Sequence, residues 1–178
     1  KPVSKKISPN KKLVIFGLGK FAKDCEKALV NRGFEVHGFL VTSKSSASYN
    51  GKIVYSLDEF NGVDVQVIVG VFNREHPYSV ILKAIEGRGC SDILMPWDVY
   101  GFLKDSLGWQ YWLSEPRSVY KNLSKIKKLY SALGDEQSKN ILFNTVKFRM
   151  GLNLDYSLFQ SDDEQYFNQL TLEPLKKT

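Results

Sequence analysis

Cysteine and histidine are scarce, two of each in 178 residues. Cys25 and Cys90 stand far apart with no Cys-x-x-Cys pair. That spacing argues against a disulfide framework or a structural zinc site. Cys25 falls on the inner side of a predicted helix, where a thiol is expected to be buried and inert. His37 and His76 belong to no metal-ligand pattern, and no metal is expected. No apolar run approaches the roughly 20 residues that cross a bilayer. The opening residues, Lys1 to Lys12, are basic and polar without an apolar centre, which is not the pattern of a secretory signal. A cytoplasmic location is the expectation from these absences. The chain opens on Lys rather than Met, which reads as an excised piece of a longer protein. There is no internal repeat and no Gly/Ser linker.

The composition that remains is that of a globular chain, 43% hydrophobic and 25% charged, long enough for one domain with a full core plus an appendage. The net charge is +6. Much of the excess sits in two clusters: Lys1, Lys5, Lys6, Lys11 and Lys12, and then Lys121, Lys125, Lys127 and Lys128. Aromatic residues do not interleave with the N-terminal lysines and no nucleic-acid motif is present. The clusters therefore read as a solvated tail, residues 1–10, and a solvated helix face, and nucleic acid is not an expected partner.

Strands alternate with helices over residues 11–105. Leu13 to Phe16 is a short continuous apolar run, the pattern of a strand covered on both faces. Gly17 and Gly19 break it, and Lys20 to Asn31 follows with Phe21, Ala22, Cys25, Ala28 and Leu29 at helical spacing. Glu35 to Val41 reads as a second strand and Thr42 to Ser48 as a serine-rich loop. Lys52 to Tyr55 is a third strand. Ser56-Leu-Asp-Glu59 has capping-box spacing for a helical turn. Asp64 to Val71 is a β-branched fourth strand, Pro77 to Gly87 a helix, and Asp92 to Met95 a fifth strand stopped by Pro96. This alternation implies crossover units and an open parallel α/β sheet of about five strands, Rossmann-like in type, with strand one central. Trp97 to Trp112 is aromatic-rich and reads as irregular. Residues 106–178 read as a helical extension. In it Val119, Leu123, Ile126 and Tyr130 share one helix face. Asp135 caps a further helix that carries Ile141, Leu142, Thr145 and Phe148, with Gly151 just past its end.

The chemistry is concentrated in Gly17-Leu-Gly19-Lys20. A turn from a buried strand into a helix uses one glycine for the tight turn and another to admit a phosphate to the helix N-terminus. Ala22 takes the place of the third glycine of a dinucleotide fingerprint. The candidate ligand-binding residues are Gly17, Gly19, Lys20 and Phe21 at this turn, and Ser43 after strand two. Phe72, Asn73 and Arg74 after strand four join them, for stacking on a base and contacting a sugar or phosphate. No catalytic residue is assigned. A NAD site expects a carboxylate at the end of strand two, and none occurs from His37 to Ser48; Ser43 and Lys44 stand there instead. Tyr100 and Lys104 have the Tyr-x-x-x-Lys spacing of some reductases. They are read as a packing tyrosine and a solvated lysine.

The stretches "KKLVIFGLGKFAKDCEKALVNRGFEVHGFLVTS" and "VIVGVFNREHPYSVILKAIEGRGC" resemble the Rossmann-like N-terminal half of certain FkbM-type methyltransferases. "LGDEQSKNILFNTVKFRMG" is similar to the helix that follows that domain, and "DEQYFNQLTL" to the segment before the catalytic domain. The resemblance implies a substrate-recognition domain of a transferase acting on a saccharide or related metabolite. Its C-terminal methyltransferase domain would follow in cis and use S-adenosylmethionine. The D-x-G-A-x-x-G motif that opens such a domain is absent here, so no cofactor is assigned to this chain. The first half also resembles nucleotide-sugar-binding domains in front of sugar acyltransferases. Those end strand two in "GFLDD", where this chain has "GFLVTS". A NAD(P)-binding oxidoreductase-type domain, and a docking module with its surface between Trp97 and Trp112, are the alternatives.

Overall fold

A computed structural model describes residues 6–71, 78–108 and 116–151. The chain divides into two compact units. The described residues of the first are 6–71 and 79–108; those of the second are Tyr78 and 116–151.

The first unit is an α/β domain. Its elements run β1 (Lys12–Phe16), α1 (Lys20–Val30), β2 (Val36–Val41), β3 (Ser48–Tyr49), β4 (Lys52–Ser56), β5 (Val65–Val69), α2 (Tyr78–Glu86), β6 (Asp92–Leu94) and α3 (Pro96–Leu107). The sheet order is β3-β4-β2-β1-β5-β6. Every neighbouring pair is parallel except β3–β4. The expected Rossmann-like parallel sheet with an inner first strand is therefore present, with one short strand more. That strand arises from Asn50-Gly51, whose φ values of 49° and 74° turn Tyr49 back onto Lys52. Asn-Gly is the strongest short hairpin signal, and it lies inside a stretch that otherwise reads as loop.

The inner strands β1 and β5 are buried on both faces, because both are covered. Leu13, Ile15, Val36, Phe39, Ile68 and Leu94 face a core completed by Cys25, Ala28 and Leu29 of α1 and Val99, Leu103 and Leu107 of α3. The segment beyond Pro96 thus differs from its irregular reading: residues 96–107 form a helix. Pro96 occupies the first helical turn, where its missing N–H costs nothing. The Asp98 carboxylate accepts a hydrogen bond from the Met95 N–H at 2.8 Å. An aromatic surface does not disqualify a helix when one stripe of it is paired with α1. The first compact unit accordingly extends past residue 105 and includes the whole of α3.

Residues 6–8 are anchored rather than trailing from the sheet. Gln66 is fully buried on β5; its amide nitrogen donates to the Lys6 carbonyl at 3.1 Å and its oxygen accepts from the Ser8 N–H at 2.9 Å. Ile7 packs against the main core.

Both thiols are buried. Burial pushes Cys25 up to about 12, and Cys90 is raised by the same cause. Thiolate, the reactive form, is therefore suppressed at neutral pH. A disulfide reagent at pH 8 is expected to titrate well under one thiol per native chain and both thiols in denaturant. Stoichiometric reaction of the native chain would contradict this burial.

The second unit contains α4 (Pro116–Lys121), α5 (Leu123–Ala132) and α6 (Glu136–Gly151). Asp135 caps α6 as its position predicts, accepting from the Ser138 N–H at 2.7 Å, and this hydrogen bond holds its carboxyl below the usual range. Gly151 is the last residue of α6 rather than the first beyond it. On the predicted apolar face Val119 is buried, whereas Leu123 and Tyr130 are exposed. Lys121, Lys125, Lys127 and Lys128 are all exposed.

Candidate functional site at the carboxyl edge of the sheet

Strands β1 and β5 are the switch point of the sheet, because β2 follows β1 on one side and β5 flanks it on the other. Their carboxyl ends lie level, Phe16 beside Val69, and the Gly70 N–H donates to the Phe16 carbonyl at 2.8 Å. On the other flank the Gly17 N–H donates to the Leu40 carbonyl at 2.7 Å. Gly17 has φ +107°, and a Cβ there would stand 2.3 Å from Val71 Cγ1. Conformation and space both demand glycine. The turn after β1 and the residues after β5 are thus side by side, as the crossover argument requires.

Gly19 differs in kind. Its φ of −74° and ψ of −178° are ordinary extended values. A Cβ built there has no heavy atom within 4 Å. The residue is the N-cap of α1, no side chain caps the helix, and no acidic residue occupies its first turn. Open space thus meets an uncapped N-terminus carrying the positive end of the helix dipole. The Lys20 ammonium bonds to Asp24 and its side chain is 88% exposed, so it points away from the core. Phe21 is half-buried against the core. Ala22 fits its role as the third small residue: a Cβ on Gly70 would lie 2.9 Å from the Ala22 Cβ, so α1 crosses β5 at the closest spacing two small residues allow.

Ser43 is exposed in the loop after β2. The next residue, Lys44, is occupied: its ammonium holds Glu59, whose carboxyl is lowered by that bond and by Ser56. Glu59 therefore brings to the loop after β2 a carboxylate that the strand itself lacks. Sequence reading missed it, although the Ser56-x-x-Glu59 spacing was its signal. That stretch makes hydrogen-bonded turns, Glu59 N–H to the Ser56 carbonyl at 3.1 Å, and no α-helix. Phe72, Asn73 and Arg74, the remaining predicted contacts, lie outside the described residues.

Tyr100 and Lys104 share helix α3, with Tyr100 buried and its hydroxyl donating to the Gly108 carbonyl at 2.9 Å. That phenol packs and caps rather than opening onto a cleft, while Lys104 is exposed. Trp97 and Phe102, on the same helix, line a cavity of about 570 Å³ with Ile7 and Phe34. Phe34 meets Phe102 edge to face at 5.7 Å, and the Arg32 guanidinium lies 4.7 Å from the Phe102 ring centre.

Among the described residues there is no group of three or more metal-ligating side chains and no helix long and apolar enough to cross a membrane. The fold and this edge define a Rossmann-like α/β domain with a glycine turn open at its switch point. Comparisons with protein-family models, curated proteins and solved structures find no match to the chain.

Proposed function

We propose that the first unit is a ligand-binding, substrate-recognition domain whose ligand is a nucleotide or sugar nucleotide, held by a phosphate on the turn from Gly17 to Lys20. The observation that carries this reading is the open, uncapped α1 N-terminus beside Gly19, at the switch point between β1 and β5. Phosphate would accept hydrogen bonds from backbone N–H groups there. Ser43, exposed in the loop after β2, would meet the sugar. Together with the segments that resemble FkbM-type proteins, this supports a recognition domain serving a methyltransferase domain in cis, with a saccharide or related metabolite as acceptor. The residues of this chain do not fit the methyl donor, since the acidic glycine motif that would hold it is absent. The isolated chain is expected to bind no S-adenosylmethionine.

A thermal-shift panel of nucleoside diphosphates and sugar nucleotides tests the ligand. A ligand at about 100 times its dissociation constant stabilises by roughly 2.7 kcal/mol. Gly19→Val places branched carbons in the phosphate path without straining the turn, so it should abolish the shift at unchanged unliganded stability. Binding that survives Gly19→Val would remove the phosphate from this turn.

A further inference from the structure

Helix α5 of the second unit buries none of its ten residues. A helix of that length is marginal in water by itself, and packing of an apolar face normally holds it. Leu123, Ile126, Leu129 and Tyr130 recur every three or four residues, so they form one stripe along α5. Leu123, Leu129 and Tyr130 are exposed, Leu129 by 51%, and Ile126 is half-buried. Exposed apolar residues are ordinary when scattered. Aligned on a helix that buries nothing, they mark a contact surface.

The charges around this stripe have one sign. Residues 116–134 contain no Asp or Glu. Helical geometry puts Lys125 and Lys127 on opposite flanks of the stripe, one turn from Leu129 and Leu123. Both are exposed, as are Lys128 and, at the end of α4, Lys121. Among the described residues none of these four lysines is in an ion pair. The two acids that follow are engaged. The Asp135 carboxylate accepts from the Ser138 N–H at 2.7 Å, and Glu136 holds the Lys139 ammonium at 2.8 Å. That ammonium also lies 6.0 Å from the Tyr130 ring centre, so a further cation borders the stripe. Residues 116–151 carry eight basic and two acidic side chains, a net +6 that equals the formal charge of the whole chain.

An apolar ridge one helix wide with lysines on both flanks fits a planar, yielding and anionic partner. Nucleic acid would engage the lysines and leave Leu123, Leu129 and Tyr130 in water. We infer that α5 is an interfacial helix that docks this unit on an anionic lipid bilayer, lying in the surface rather than crossing it. The leucines and the Tyr130 ring sink to the level of the headgroups. The lysine stems lie along the apolar surface and carry their ammonium groups out to the lipid phosphates and carboxylates.

The test is co-sedimentation of the chain with vesicles of phosphatidylcholine alone, or with about 30% phosphatidylserine added. Binding is expected for the anionic vesicles only, and added salt should weaken it. Lys125→Gln with Lys127→Gln should weaken partitioning about 25-fold, about fivefold per lysine. Leu129→Ser should weaken it about tenfold. These positions are exposed, and an unchanged circular dichroism spectrum certifies the fold. Lys27→Gln with Lys83→Gln makes an equal charge change on exposed positions of α1 and α2, and should alter partitioning less than about twofold. Failure to bind anionic vesicles overturns the inference, as does equal binding to phosphatidylcholine alone. Unchanged partitioning in the Lys125 and Lys127 double variant overturns it and gives the contact to the N-terminal lysines. An equal loss in the Lys27 and Lys83 double variant, or none in Leu129→Ser, reduces the contact to net charge and also overturns it. Polyglutamate that binds the chain more tightly than the anionic vesicles do would give the face to an acidic protein instead.

Discussion

Gly17→Ala is expected to shift the urea unfolding midpoint far below that of the wild type, and Gly19→Ala to leave it in place. The two glycines are neighbours in one loop, yet opposite constraints act on them. At Gly17 an added Cβ lies 2.3 Å from Val71 Cγ1, an atom on a short branched side chain, and φ is +107°. Backbone strain of roughly 1–3 kcal/mol and overpacking of roughly 1–3 kcal/mol both apply. Their sum is a large share of the about 5–15 kcal/mol that holds a domain folded. At Gly19 the backbone is ordinary and a Cβ meets nothing within 4 Å, so the change should stay within about 0.5 kcal/mol. Equilibrium unfolding with the slope unchanged reads both. Equal midpoints for the two variants would show that the turn does not have this geometry.

Gln66→Ala should lower stability by about 2–4 kcal/mol. The side chain is 1% exposed, and both ends of its amide are used by backbone groups of the N-terminal segment, Lys6 O and Ser8 N–H. Truncation opens a cavity and strands two polar groups whose desolvation then goes uncompensated. The effect should extend beyond the mutated strand. Amide exchange at Ile7 and Ser8 should rise toward that of an unstructured segment, because these residues lose their polar anchor together with part of the packing around Ile7. Gln66→Glu should not rescue, since a carboxylate still accepts from Ser8 but cannot donate to the Lys6 carbonyl. Unaltered exchange in Gln66→Ala would mean that Ile7 alone holds the segment.

The amide of Gln66 also marks how far sequence reading reaches. A glutamine inside "DVQVIVGV" looks like a polar interruption of a buried strand. Its partners are 60 and 58 residues away, and no local pattern predicts them. The carboxyl-edge site was more legible. A buried strand, two glycines and a helix are consecutive, so short-range rules suffice to put Gly17 and Gly19 at the turn and Phe21 and Ala22 in the first turn of α1. The departures at that edge are long-range pairings: Lys44 spent on Glu59, and Gly70 recruited as the second small residue opposite Ala22.

What the sequence determined by itself is the set of five strands β1, β2, β4, β5 and β6 and their parallel pairing. Continuous apolar runs that alternate with amphipathic helices can bury both faces only between helices, and right-handed crossovers then leave strand one inside the sheet. Its charge and its local caps, Asp135 above all, were equally readable because they act within a few residues. Tertiary structure decided the rest. It made residues 96–107 a helix, because α1 supplied the apolar partner for Val99, Leu103 and Leu107. It let residues 57–64 recross two strands without a helix. It displaced the register at His37 by one residue, because Gly38 allowed Tyr55 and Ile53 to close in. Each of these turns on which atoms meet across the sheet, a quantity set by packing between distant segments and invisible to any window along the chain.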